Sequence, residues 1–140
     1  MNILTSALEA GAAYIDVDFN MPAYFIKKLK KECMYTGAQM IISVHFWREM
    51  PSLNYLLKLV AGAARLADIV KIAVFVKEWP YNVVLFELTK RMAAKGKKII
   101  VIGMGEKGRI SRFGCPLLGS YLSYAALSDK SATAPGQFRL

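Results

Sequence analysis

The chain has a single histidine, His45, and only two cysteines, Cys33 and Cys115. The cysteines form no CxxC pair, and one histidine does not complete a His/Cys ligand set, which argues against a zinc site. Two unpaired thiols suit a reducing compartment. Long apolar runs are lacking as well. The most apolar stretches, around 40–47, 69–76 and 99–104, fall far short of the roughly 18–20 residues that cross a bilayer. No membrane association is expected. The start, Met1-Asn2-Ile3-Leu4-Thr5, lacks a basic segment ahead of an apolar one, so no secretory leader is expected and the cytoplasm is the expected location.

Acidic residues are scarce. There are 10 Asp and Glu against 19 Lys and Arg, a net charge of +9, with a pI near 9.7. A basic balance raises nucleic acid as a partner. Much of the charge, however, sits in Lys27, Lys28, Lys30 and Lys31 and in Lys95, Lys97 and Lys98. Each cluster falls on or just after a predicted helix, where solvated lysines are ordinary. No aromatic-interleaved basic strand and no recognition-helix pattern accompanies them, so nucleic acid is not the expected partner. A small anionic substrate suits the same positive field.

What is present is apolar. The 140 residues fit one domain, expected over 1–140, and 55% of them are hydrophobic, above the roughly 45–50% usual for soluble domains. The mean hydropathy is +0.31. Either the strands are buried on both faces, or apolar surface awaits a partner.

Short apolar runs alternate with amphipathic stretches. A helix over 2–11 ends at Gly11. A strand over Tyr14–Phe19 puts Asp16 and Asp18 on one side of the pleat. Pro22 opens a helix through about Met34, closed near Gly37. Further strands are predicted at Met40–Phe46, Ile69–Val76 and Ile99–Met104, and further helices from Pro51 to about Leu66 and over Tyr81–Lys95. Gly103 to Gly114 reads as a glycine-rich loop, Leu117–Leu127 is ambiguous, and Ser128–Gln137 reads as loop. Strands alternating with helices give an α/β class with a parallel sheet. An open doubly wound sheet and a (β/α) barrel segment both fit. Gly103-Met104-Gly105-Glu106-Lys107-Gly108 matches GxGxxG, but the sequence after it makes a poor helix start for a dinucleotide fingerprint, so the match reads as chance.

Lys71 is the strongest chemical signal. It lies inside Ile69-Val70-Lys71-Ile72-Ala73-Val74, where a lysine between two covered faces loses hydration. That favours the neutral amine that Schiff-base chemistry needs. A lysine snorkelling at the strand edge or satisfied in an ion pair explains the pattern equally. His45 closes a strand at the end where α/β proteins carry their chemistry, and suits acid–base work. A core histidine bonded to backbone is the plain alternative. Asp18 could orient that histidine, or either aspartate could be a turn residue. Arg112 could clamp a carboxylate, or be a solvated loop arginine. In Ala132-Thr133-Ala134-Pro135-Gly136-Gln137 the hydroxyl and amide could bond a polyol, or form an ordinary turn.

Five stretches carry a resemblance: Tyr14-Ile15-Asp16-Val17-Asp18, Ile42-Ser43-Val44-His45, Asp68-Ile69-Val70-Lys71-Ile72-Ala73-Val74, Gly108-Arg109-Ile110-Ser111-Arg112 and Ala132-Thr133-Ala134-Pro135-Gly136-Gln137. In this order and spacing the chain resembles the type I 3-dehydroquinate dehydratases. The resemblance implies a TIM-type (β/α)8 barrel and a lyase of the shikimate pathway. It implies syn elimination of water from 3-dehydroquinate, giving 3-dehydroshikimate, with no cofactor. Lys71 would form the imine with the C3 ketone. His45 would remove the C2 proton, help form and hydrolyse the imine, and assist loss of the C1 hydroxyl. Asp18, where many relatives have glutamate, would orient His45. Arg112 would hold the substrate carboxylate, Thr133 and Gln137 its hydroxyls, and Met104 would line the pocket. The chain departs from the family in Phe46-Trp47 and Met50-Pro51, where many relatives have Asp-Phe and Thr-Pro. Against the family's barrel, the chain is expected to cover about strands 4–8, with a second copy or another chain completing the wall. An inactive fragment, a non-catalytic interaction module and another class I Schiff-base lyase or aldolase are the competing readings.

Overall fold

A computed structural model describes residues 3–127 and 133–139. Four parallel strands form one sheet in the order β1 (Tyr14–Asp18), β2 (Gln39–Phe46), β3 (Ile69–Phe75), β4 (Ile99–Met104). Helices α1 (Ile3–Glu9), α2 (Ala23–Thr36), α3 (Leu53–Ala63) and α4 (Tyr81–Ala94) precede or link them. A short helix, α5 (Ser111–Leu117), and a two-residue pair of strands, β5 (Ala125–Ala126) with β6 (Phe138–Arg139), follow.

The helix limits have local causes. Pro22 takes the extended position before α2, and Gly37, at φ 78°, turns the chain out of it with its N–H on the Cys33 carbonyl. Ser52 caps α3 by accepting from the Tyr55 N–H at 3.3 Å. The α3 segment is therefore shorter than the predicted Pro51–Leu66 span, because Pro51 lies outside the cap and 64–66 fold into a turn. Two further corrections concern the C-terminal third. The glycine-rich loop holds α5, which the density of glycines masked. The 117–127 stretch, ambiguous in its pattern, ends α5 at Leu117, turns at 118–119 and contributes β5. Of the loop predicted over 128–137, residues 128–132 lie outside the described residues.

The strand side chains divide by parity. Ile15, Val17, Ile42, Val70, Ile72, Val74, Ile99 and Val101 face the helices, where they meet the fully buried Leu29, Leu56, Leu85 and Leu88. Each such leucine contributes about 1.5–3 kcal/mol by leaving water. Ile41, Ile69, Ala73, Ile100, Ile102 and Met104 face the other way and pack under Leu122, Tyr124 and Ala134. The sheet is thus covered on both faces, the first of the two readings its apolar composition allowed. Among the described residues no strand lies beyond β1, whereas β4 is flanked by Ser120 and Tyr121. The Tyr121 N–H donates to the Ile99 carbonyl at 2.7 Å, and Ser120 Oγ accepts from the Val101 N–H at 3.2 Å.

The GxGxxG glycines serve packing. A Cβ on Gly108 would lie 2.4 Å from the Gly103 carbonyl carbon. Ser111 Oγ accepts from the Gly103 N–H at 2.6 Å and donates to the Gly108 carbonyl at 2.7 Å. The loop after β4 is thereby folded against its own strand. No helix among the described residues is long and apolar enough to cross a membrane.

Candidate active site

The face of the sheet opposite the long helices carries the polar residues. Lys71 on β3 is abreast of Ser43 on β2, which is abreast of Asp18 on β1. His45 is one pleat nearer the strand end, abreast of Ala73. Lys71 and His45 border a cavity of about 290 Å³. Its wall includes His45, Lys71, Met104, Arg112, Thr133 and Gln137, six of the seven residues singled out from sequence. The seventh, Asp18, stands behind His45, with Oδ2 3.5 Å from His45 Nδ1. That separation is an electrostatic contact longer than a good hydrogen bond. Asp18 Oδ1 is engaged elsewhere, accepting from the Asn20 N–H at 2.8 Å.

Lys71 is only 14% exposed in its side chain, and its Nζ donates to Asp16 Oδ2 at 2.6 Å. Lys71 thus has the ion pair that its sequence left open, and it also lies on the cavity wall. Strands are spaced by roughly 4.8 Å, so β1 lies about 10 Å from β3. The lysine arm crosses β2 above its register partner Ser43, which is small and buried. The Tyr124 ring lies under the same ammonium, 5.0 Å from centroid to Nζ. Burial, and then the Asp16 charge, push the Tyr124 hydroxyl up to about 12, so it keeps its proton at neutral pH.

Arg112, in the first turn of α5, is 4% exposed. Its terminal nitrogens donate to the carbonyls of Tyr124 at 3.4 Å and Pro135 at 3.3 Å. Nε has no partner, and no carboxylate pairs with the guanidinium among the described residues. Burial and the nearby Arg109 charge lower its pKa, yet an arginine stays cationic at neutral pH. The cavity wall thus holds a sealed positive charge with unused donor capacity.

The C-terminal turn is closed by its own polar groups. Gln137 Oε1 accepts from the Thr133 N–H at 2.7 Å and lies 3.4 Å from Thr133 Oγ1. Gly136, at φ 78°, lets the turn dock on β4. A Cβ there would meet the Gly105 carbonyl oxygen at 2.6 Å, and the Gly105 N–H donates to the Pro135 carbonyl at 3.1 Å.

Three of the polar or aromatic lining residues were not singled out as site residues from sequence. Asp16 was weighed only as a turn residue, although its pleat phase with Asp18 pointed to this face. Trp47 stacks on His45 with ring centroids 6.1 Å apart and planes 13° from parallel. Tyr124 lay in the stretch whose pattern was ambiguous. The thiols are remote from the chemistry. Burial raises both, Cys115 to about 11.

The model of the type I 3-dehydroquinase family matches residues 1–140. A 3-dehydroquinate dehydratase of Dehalococcoides mccartyi is 32% identical over 143 residues, covering 100% of this chain and 61% of that protein. A bifunctional 3-dehydroquinate dehydratase/shikimate dehydrogenase of Arabidopsis thaliana is 34% identical, covering 97% of this chain and 22% of that protein. Among solved structures, the 3-dehydroquinate dehydratase of Geobacillus kaustophilus superposes with a TM-score of 0.87 at 25% identity, over 97% of this chain and 53% of that one. The type I enzyme of Clostridium difficile, solved with covalently modified comenic acid, gives 0.85 at 28% identity, over 98% and 55%. The chain thus spans 61% or less of the length of these relatives.

Proposed function

The chain belongs to the type I 3-dehydroquinase family, and on that premise we propose that it dehydrates 3-dehydroquinate to 3-dehydroshikimate through an imine at Lys71. The observation that carries this reading is the placement of Lys71, His45 and Arg112 on one cavity wall. The parts suit the chemistry. The Lys71 amine adds to the C3 carbonyl, and loss of water leaves a protonated imine. That electron sink acidifies the C2 hydrogen. His45 takes the C2 proton, giving an enamine, and returns it to the departing C1 hydroxyl, which leaves as water. Hydrolysis of the remaining imine releases 3-dehydroshikimate and restores the amine. Arg112 holds the substrate carboxylate by a charge-assisted pair. Thr133 and Gln137 bond the substrate hydroxyls, Met104 supplies an apolar wall, and Asp18 biases the His45 ring through its charge at 3.5 Å. No metal or organic cofactor enters these steps. A cytoplasmic location accompanies the reading, and the two buried thiols support it.

The four-stranded sheet together with the extended chain that flanks β4 at Ser120 and Tyr121 corresponds, in this reading, to about strands 4–8 of a (β/α)8 barrel within a domain over 1–140. Among the described residues no strand covers the edge of β1, and a second copy or another chain is the candidate for the rest of the wall, since a sheet edge exposes unpaired backbone groups. Native mass spectrometry at micromolar concentration is expected to show a dimer or higher species. A clean monomer would remove this part of the reading. The activity itself is tested by following the conjugated enone of the product by absorbance. Turnover that disappears in Lys71→Ala is expected; equal turnover in that variant would refute the reaction.

A further inference from the structure

Imine formation presents a proton problem. An ammonium has no lone pair with which to attack, and the carbinolamine it becomes needs a proton on its oxygen before water leaves. Asp16 is the group in contact with the Lys71 nitrogen, at 2.6 Å. Its second oxygen, Oδ1, is sealed from solvent and has no donor among the described residues. A buried acceptor without a donor costs about 1–3 kcal/mol, yet a carboxylate so placed is ready to take a proton. The other ionisable groups on the cavity are committed differently. Tyr124 keeps its proton, Arg112 is a fixed cation, and Asp18 faces His45. No hydrogen bond joins His45 to Lys71 among the described residues, and His45 is abreast of Ala73 rather than of the lysine.

We propose that Asp16 is a catalytic residue that takes a proton from the Lys71 ammonium and returns it to the carbinolamine hydroxyl, which leaves as water. The inference rests on the imine reading above. The steps balance. One ammonium proton passes to the Asp16 carboxylate, and the freed amine adds to the carbonyl carbon. A second proton moves from nitrogen to the new alkoxide. The Asp16 carboxylic acid then protonates that hydroxyl, the C–O bond breaks, and a protonated imine and one water remain. Asp16 ends as the carboxylate it began as. Because the Asp16–Lys71 pair carries its own proton, the step does not depend on bulk pH through the neutral range.

The test measures initial rates of reductive capture at Lys71 by peptide mass mapping of the full chain, with two carbonyl probes. One is 3-dehydroquinate; the other is acetaldehyde, which needs none of the substrate contacts. Surface lysines such as Lys28 are internal standards for acetaldehyde. Asp16→Asn is expected to slow capture at Lys71 at least tenfold with acetaldehyde and with any probe that labels the wild type, and to leave Lys28 unchanged. Asp16→Glu is expected to recover to within about threefold. Circular dichroism checks each fold, and the wild-type pH profile decides if Asp16→Asn does not fold. Capture at Lys71 is expected to be flat between about pH 6 and 8, while an ordinary ammonium gains amine tenfold per pH unit below its pKa. Capture in Asp16→Asn equal to or faster than wild type, or a Lys71 profile that tracks Lys28, would overturn the proposal. Acetaldehyde capture that depends on Asp16, with none by 3-dehydroquinate, would refute the substrate and leave the role of Asp16 standing.

Discussion

Replacing Arg112 by methionine separates folding from function. Arg112 is 4% exposed, and its guanidinium pairs with no carboxylate among the described residues. Burying an ion costs several kcal/mol after relaxation. Two hydrogen bonds to carbonyls, at 3.4 and 3.3 Å, offset part of that. Bonds to charged groups contribute about 1.5–3 kcal/mol each, and these long ones belong at the low end, near 3 kcal/mol together. The charge is thus close to neutral or unfavourable for the unliganded fold. Met keeps most of the volume and removes the ion. Arg112→Met is therefore expected to unfold in urea within about 1 kcal/mol of wild type, or later. Binding should behave oppositely. Losing one partner of a buried charge pair costs about 2–5 kcal/mol, which is roughly 30- to 4,000-fold in affinity for 3-dehydroquinate. Urea melts and isothermal calorimetry measure the two quantities. A variant that loses more than about 3 kcal/mol of stability and binds as tightly as wild type would refute the reasoning, because Arg112 would then be a structural residue.

Four further outcomes are expected. His45→Ala should lower turnover about 10²- to 10⁴-fold, the usual worth of a positioned acid–base group, and still permit imine capture. Asp18→Asn should cost less than about tenfold, since 3.5 Å is no strong hydrogen bond; steady-state kinetics of both variants check this. Gly108→Ala should destabilise by about 1–3 kcal/mol in urea, because its Cβ would lie 2.4 Å from the Gly103 backbone. Asp68 gives an acid-limb test. Burial alone would raise its carboxyl, but the Lys30 ammonium and the Met40 N–H bind the carboxylate and hold it below the ordinary range. A depressed folded pKa stabilises above the unfolded value, about 3.9, and that stability is lost as pH falls through the folded value. Wild type should lose stability below about pH 4, and Asp68→Asn should lose less over the same window by thermal melting.

The parallel α/β layout was legible because β-branched runs at 40–46, 69–75 and 99–104 alternate with helices whose ends carry Pro22, Ser52 and Gly37. Of the candidate cavity wall, Lys71 and His45 stood out in the sequence, because an ionisable side chain in an apolar strand has no cheap place to go. Arg112 was visible as a candidate, but its burial depends on α5, and a segment rich in glycine hides a seven-residue helix. Asp16 was the main omission. Its period-2 phase with Asp18 put it on the right face, but its partner lies 55 residues away across β2, and no local pattern encodes a contact that sheet register creates. Trp47 escaped for a local reason. Its stacking on His45 is set by the turn after β2.

The central claim is that Lys71 forms the covalent intermediate. Incubating the folded chain with 3-dehydroquinate, reducing with borohydride and mapping the mass increase tests it directly. The expected result is a substrate-derived adduct on Lys71 in wild type and none in Lys71→Ala. A folded wild type with no adduct, or with one on a different lysine, would contradict the account.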